Sequence, residues 1–167
     1  DGTNGEELWV CDGTLSGTVM VKDIYTGLGF ASTPLNLYSY NNKLFFSAND
    51  GTNGKELWVS DGTASGTLML KDINTTSNAP SSPKDFTFYL GKLYFIATTS
   101  NVSPFDYQLY VTDGSTNPDS THIVAPDIAT NVSPLYPDAY NFGLKVSNGL
   151  LYFPAKYTSV GVEPYVL

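Results

Sequence analysis

Arginine is absent from this chain: all eight basic residues are lysines, set against 16 acidic ones, for a net charge of −8 over 167 residues. Nucleic acids and anionic membrane surfaces both need clustered positive charge, so the composition argues against either as a partner. Without a guanidinium the chain also has no bidentate fork for a carboxylate or phosphate. Cysteine and histidine occur once each, as Cys11 and His122. A single thiol excludes an internal disulfide and a cysteine-built metal site. His122 lies in the apolar-leaning stretch Thr121-His122-Ile123-Val124 and reads as an ordinary strand residue, because a catalytic or metal-binding histidine needs convergent partners. There is no run of apolar residues long enough to span a bilayer, no signal peptide, no lipidation motif, and no segment with the length and 3.6-residue period of a helix.

What the chain has in abundance is itself. Glu7-Leu8-Trp9-Val10-Cys11-Asp12-Gly13-Thr14 returns 49 residues later as Glu56-Leu57-Trp58-Val59-Ser60-Asp61-Gly62-Thr63. A weaker copy, Gln108-Leu109-Tyr110-Val111-Thr112-Asp113-Gly114-Ser115, follows after 52 more, and Glu163-Pro164-Tyr165-Val166-Leu167 opens a fourth. Cys11 stands where the other copies carry Ser60 and Thr112, so no copy preserves a thiol. A period of this length is the mark of a propeller, a solenoid or another array. Much of the acidity belongs to turns, since Asp1, Asp12, Asp50, Asp61 and Asp113 each precede glycine.

The clearest unit, 35–73, contains four apolar-aromatic runs at 35–40, 43–48, 56–60 and 67–73, separated by Asn41-Asn42, by 49–54 and by 61–66. Short runs rich in β-branched and aromatic residues, joined by Gly/Asn/Asp loops, predict a four-stranded antiparallel meander. The next unit, 86–128, repeats the plan with runs at 86–90, 92–97, 108–112 and 121–128. Residues 1–24 form the second half of a unit, and 140–167 supply three strands of another, at 142–146, 150–155 and 163–167. The connectors 74–83 and 129–137 are links between units, not domain linkers. A meander of about 50 residues cannot bury both faces alone, so units must stack, and radial stacking into a β-propeller is the expected solution. The fold class predicted is therefore all-β, with 13 strands as 2 + 4 + 4 + 3, a partial ring of roughly three blades. Propellers close with about four to eight blades. The ring is expected to be completed by further repeats of a longer chain or by other copies of this one.

The segments 54–63 and 66–73 resemble the ELWxxDGT repeat family, and 17–24 fits the same pattern. The similarity spans the chain and drifts in later copies, where Tyr110 replaces Trp, Ser115 replaces Thr, and Pro164 interrupts the motif. The resemblance implies secreted or cell-surface, mostly bacterial repeat proteins expected to form propellers; it implies no active site.

Four features invite a functional reading, each beside a structural one. The turn 60–67 is similar to the Asp-box hairpin of sialidases, whose arginines are missing here; the turn itself calls for Asp and hydroxyl oxygens that accept backbone N–H bonds. The column Trp9, Trp58, Tyr110, Tyr165 reads as packing between sheets, with sugar stacking as the alternative, for which the loop residues Tyr25, Tyr107, Tyr136 and Tyr157 are better placed. The oxygen-rich loop 49–56 and its copy at 1–7 would suit calcium, yet lack the alternating acidic ligands of an EF-hand and read as hairpin turns. Sequons occur at Asn74, Asn101 and Asn131, with proline following two of them. Besides aspartates, the acids on offer are Glu6, Glu7, Glu56 and Glu163, and no nucleophile, base and orienter can be assembled. No catalytic, cofactor-binding or metal-binding residue is assigned. The expectation is a non-catalytic module, secreted or at the cell surface, with a structural, adhesive or assembly role; the alternative is a carbohydrate-binding propeller, and a lesser one is part of a secreted hydrolase.

Overall fold

A computed structural model of the chain describes residues 3–100, 107–124, 143–157 and 161–166. These hold thirteen strands in four antiparallel sheets. Sheet I pairs β1 (Leu8–Val10) with β2 (Val19–Lys22). Sheet II is the meander β3 (Leu35–Tyr40), β4 (Lys43–Asn49), β5 (Lys55–Ser60) and β6 (Leu68–Lys71). Sheet III repeats it with β7 (Lys84–Tyr89), β8 (Lys92–Thr98), β9 (Tyr107–Thr112) and β10 (His122–Ile123). Sheet IV joins β11 (Lys145–Ser147), β12 (Leu150–Tyr157) and β13 (Gly161–Val166). Among the described residues the sole helical element is a 3-10 turn at Pro118–Ser120, and no helix is long and apolar enough to cross a membrane.

The strands lie where the turn chemistry puts them. Asn41 and Asn42 turn β3 into β4 with φ of 50° and 58°, and Asn148-Gly149 turns β11 into β12 with φ of 50° and 73°. Two consecutive left-handed residues match the twist of a tight hairpin, and Asn and Gly tolerate that region best. Each first strand of the two meanders carries an irregularity: the register shifts between Leu35 and Tyr38 and again between Lys84 and Thr87, with Asn36 at φ 57° and Asp85 at φ 56°. Such bulges sharpen the twist a stacked sheet needs. The fourth strands are shorter than the sequence predicts. β6 begins after Thr67, whose hydroxyl is drawn into the preceding turn, and ends before Asp72 because the Ile73 amide is taken by a side chain of the neighbouring strand. The predicted run 121–128 is described only to residue 124, and 125–128 lie outside the described residues.

The sheets stack face to face in chain order. Leu8, Val21 and Ile24 of sheet I and its connector meet Phe46, Ala48 and Trp58 of sheet II. Phe45, Leu57, Val59, Leu70 and Ile73 meet Phe86, Leu93, Phe95, Ala97 and Tyr110 of sheet III. Tyr89, Ile96 and Leu109 meet Leu144, Leu151, Phe153 and Ala155 of sheet IV. Successive side chains of a strand point to opposite faces, so β4 sends Phe45 one way and Phe46 the other, and β8 does the same with Phe95 and Ile96. The two middle sheets are therefore core on both sides. This is why the strands read as nearly continuous apolar runs instead of alternating with polar residues.

Candidate functional site

The residues that recur once per unit converge on the seams between sheets. Glu56 is fully buried on β5, where its carboxylate accepts the Ile73 amide at 2.8 Å, the Ser81 amide at 2.9 Å and the Ser81 hydroxyl. Glu7 repeats this on sheet I, accepting the Ile24 amide at 3.0 Å and both the amide and the hydroxyl of Ser32. The carboxylate thus holds the chain as it leaves one sheet and again as it enters the next. Burial pushes the Glu56 carboxyl up to about 7, against the pull of the Ser81 hydroxyl and of the Ile73 and Ser81 amides; the negative charge of Asp72 adds to the rise.

A second recurring tie crosses the seam. Lys22 Nζ donates to the Thr67 carbonyl of the next sheet at 2.8 Å, and Lys71 Nζ donates to the equivalent Thr121 carbonyl at 2.8 Å. Lys22 also lies 5.9 Å from the centroid of the Trp58 ring. Tyr38 and Asn36 of sheet II reach sheet III and its connector, the Tyr38 hydroxyl accepting the Phe88 amide at 3.0 Å and the Asn36 amide donating to the Pro83 carbonyl at 3.0 Å.

The Asp-box-like turn is closed on itself. Asp61 Oδ1 accepts the Thr63 amide and hydroxyl, the Thr63 hydroxyl accepts the Gly66 amide, and the Thr67 hydroxyl donates back to the Thr63 carbonyl at 2.7 Å. Asp12, Thr14, Gly17 and Thr18 reproduce each contact. Those hydrogen bonds hold both carboxyls below the usual carboxylate range, the threonine hydroxyls first and the threonine amides second. The third turn is two residues longer, and the 3-10 element absorbs the insertion, so that the Thr121 hydroxyl still reaches Thr112 Oγ1 at 3.0 Å.

The variable position before the motif aspartate now has an explanation. Cys11 Sγ accepts the Thr18 hydroxyl at 2.9 Å and the Gly13 amide at 3.2 Å. Ser60 Oγ accepts the Gly62 amide and shares a hydrogen bond with the Thr67 hydroxyl, and Thr112 Oγ1 accepts the Thr121 hydroxyl and the Gly114 amide. Any side chain with an acceptor one bond beyond Cβ serves, whether sulfur or oxygen. The bonds from Thr18 and Gly13 lower the exposed Cys11 thiol.

The other sequence candidates are placed as follows. Trp58 and Tyr110 are 6% and 4% exposed within the inter-sheet clusters, as the packing reading predicts, while Trp9 is 43% exposed. Tyr165 and Tyr157 lie on β13 and β12, with their side chains outside the described set; Tyr136, Asn101 and Asn131 lie outside the described residues altogether. Tyr25 stacks on Phe30 at 4.8 Å, and Tyr107 lies under Lys84 Nζ at 4.1 Å, so neither presents both ring faces freely. Burial raises Tyr107 and lowers Lys84. His122 is exposed on β10, its Nδ1 3.2 Å from the Asp119 carbonyl. In the oxygen-rich loop the Asp50 carboxylate accepts the Thr52 and Asn53 amides and the Asn53 side chain, and Asn49 accepts the Gly51 amide. These are turn contacts, and no group of three or more His, Cys, Asp or Glu among the described residues is placed to hold a metal ion. The copy at 1–7 begins with Asp1 and Gly2, which lie outside the described residues. Asn74 is in a connector as predicted but is buried, with Oδ1 accepting the Thr76 amide, so its amide is not open to a glycan.

A cleft of about 550 Å³ opens between the β3–β4 hairpin and the turn at Asp61, lined by Tyr40, Asn41, Asn42, Lys43 and Asp61. One face of Tyr40 is covered by Phe88, with ring centroids 3.5 Å apart. No local signal in the sequence marks this cleft, because two hairpin tips about 20 residues apart form it. No family model, no curated protein and no solved structure matched the chain.

Proposed function

We propose that this chain is a non-catalytic repeat module of the ELWxxDGT type, its sheets being blades of a β-propeller, with a structural, adhesive or assembly role outside the cell or at its surface. The observation that carries the reading is where the repeated residues go: Glu7 and Glu56 hold connectors, Lys22 and Lys71 tie adjacent sheets, and Asp12 and Asp61 close turns. Each is consumed by building a unit or joining it to the next. The partners are further repeats of a longer polypeptide or other copies of the chain, and no cofactor is required. Protease shaving of intact source cells, followed by mass spectrometry, tests the location: peptides of this chain belong in the shaved or secreted fraction, and their confinement to the lysate sinks the reading.

A second reading, carbohydrate binding, draws on the Tyr40 cleft, where an aromatic ring lies beside two asparagine side chains, a lysine and a carboxylate. Sugars are bound by this combination of a stacking surface and planar hydrogen-bonding groups. A glycan array decides it. Binding lost on Tyr40→Ala would support the reading, and an array without hits would remove it.

A further inference from the structure

Residues that recur from unit to unit are spent on building the stack, so positions that break the repeat are the ones left for a ligand. Three of them stand together at the tip of the β3–β4 hairpin, well inside the chain. Tyr40 and Tyr89 hold the same place, each paired across its hairpin with a lysine, Lys43 and Lys92. Tyr89 is 8% exposed, and its hydroxyl donates to the Gly149 carbonyl of the following sheet at 2.8 Å. Tyr40 makes no such bond among the described residues: it is 36% exposed, one ring face lies against Phe88, and it lines the cleft beside Asp61.

The asparagine pair is likewise more than the turn demands. Asn41-Asn42, Leu90-Gly91 and Asn148-Gly149 make the same two-residue left-handed turn, with φ of 50° and 58°, 46° and 80°, and 50° and 73°. Glycine takes the second position in the other two hairpins, where it is the less strained choice. Asn42 adds an amide there, and the exposed Asn41 and Asn42 side chains have no hydrogen-bond partner among the described residues. The charges at the cleft are already matched. Lys43 Nζ donates to the Gly114 carbonyl at 3.2 Å. The Thr63 hydroxyl and amide, and after them the Lys43 charge, hold the Asp61 carboxyl below the usual carboxylate range, so it is ionised. Thr63 takes only Oδ1, which leaves Oδ2 as an acceptor.

Resting on the carbohydrate reading, we infer that this cleft takes a neutral hexopyranose and turns away its acidic counterparts, the uronic, sialic and sulfated sugars. The C–H face of the ring packs on Tyr40, the two asparagine amides donate to and accept from its hydroxyls, and Asp61 Oδ2 accepts from one more. An acidic sugar would set a second negative group beside the Asp61 carboxylate, in a chain of net charge −8 that has no arginine to clamp it. The one lysine of the cleft is balanced by Asp61 and tied to the next sheet.

The side-chain amide NMR signals of Asn41 and Asn42 report on this directly. The probes are methyl β-glucoside, β-galactoside and β-mannoside, each beside the uronide that carries a carboxylate in place of its hydroxymethyl group. At least one neutral sugar shifts these signals on titration, and its uronide binds about tenfold more weakly at low salt, a gap that added salt narrows. Asp61→Asn, which keeps an acceptor for Thr63, closes most of that gap. Asn42→Gly restores the turn of the other two hairpins, so it folds without loss of stability in urea and weakens the neutral sugar about 3- to 10-fold, the worth of one neutral hydrogen bond. A uronide that binds as well as its neutral partner overturns the inference while the carbohydrate reading stands. Neutral binding untouched by Asn42→Gly overturns it by moving the sugar elsewhere. No shift with any of these sugars also overturns it, and a glycan array equally without hits removes the reading beneath it.

Discussion

Glu56 holds Ser81, 25 residues further along the chain, by both its amide and its hydroxyl, and Glu7 holds Ser32 across the same interval. The two latches fix where each sheet hands the chain to the next. Their oxygens are the acceptors for buried N–H and O–H groups that have no water to turn to. Removing one takes an acceptor from several donors at once.

Glu56→Ala leaves the Ile73 amide unpaired and the Ser81 amide and hydroxyl with only their longer contacts to the Lys55 carbonyl, at 3.1 and 3.5 Å, and a buried unsatisfied group costs about 1–3 kcal/mol. The expected loss in urea denaturation is about 1–3 kcal/mol. Glu56→Gln keeps one acceptor oxygen but turns an NH2 toward donors, and it falls between Ala and the wild type.

The raised Glu56 carboxyl makes stability fall as pH rises. Between about 4.5, the value of a free glutamate, and about 7 in the fold, the unfolded chain has released this proton while the folded chain still holds it. The folded state binds the extra proton, so stability is highest below that window, declines through it and levels off above about 7. Each tenfold difference in proton affinity between the two states is worth about 1.4 kcal/mol, which makes the whole decline on the order of 3 kcal/mol. Asp50, Asp12 and Asp61 act oppositely at the acid end, since their lowered carboxyls lose stabilisation as pH falls through and below the ordinary aspartate range. Urea midpoints from about pH 3 to about pH 8 check the profile, and Glu56→Gln should flatten the decline between 4.5 and 7.

Two glycines of the Asp61 turn separate conformational from steric cost. At Gly62 φ is 91° and a Cβ would meet nothing within 4 Å, so Gly62→Ala incurs only the left-handed backbone penalty, about 1–2 kcal/mol. At Gly66 a Cβ would come within 2.0 Å of the Asp61 carboxylate that closes the turn. Gly66→Ala should destabilise more than Gly62→Ala in thermal denaturation, and an equal effect would show that the carboxylate is not what holds the turn.

The two tryptophans should differ sharply. Trp58→Ala opens a cavity between sheets I and II and should cost about 3–5 kcal/mol. Trp9→Ala, at a half-exposed ring, should cost less than about 1 kcal/mol in dilute monomer. Urea titrations of both variants at low concentration measure the contrast.

The strands and their grouping into sheets were legible because their signals are local. Asn41-Asn42 and Asn148-Gly149 mark their turns wherever they occur, and the aromatic runs between them have the length of strands. The Glu56–Ser81 latch was not, because its partners lie on different units and a carboxylate in an apolar run reads as a surface residue. One signal existed: Ser32-Thr33-Pro34 and Ser81-Ser82-Pro83 stand at the same distance from their glutamates. Thr33 and Ser82 share φ of 47° and 49°, the kink that presents each serine amide to its carboxylate. The Lys22–Thr67 and Lys71–Thr121 ties were equally hidden, since a lysine beside Asp looks like a solvated pair until the next sheet is laid against it. The exposure of Trp9 needed the structure as well, because Trp9 and Trp58 have the same flanking residues, Leu before and Val after.

Electron microscopy of the natural protein in its native assembly tests the central claim, that these sheets are blades arranged about an axis. The account predicts class averages of a closed ring of radial sheets, with a blade count of about four to eight. A straight or superhelical rod with no closed ring would contradict it and make the chain a segment of a solenoid.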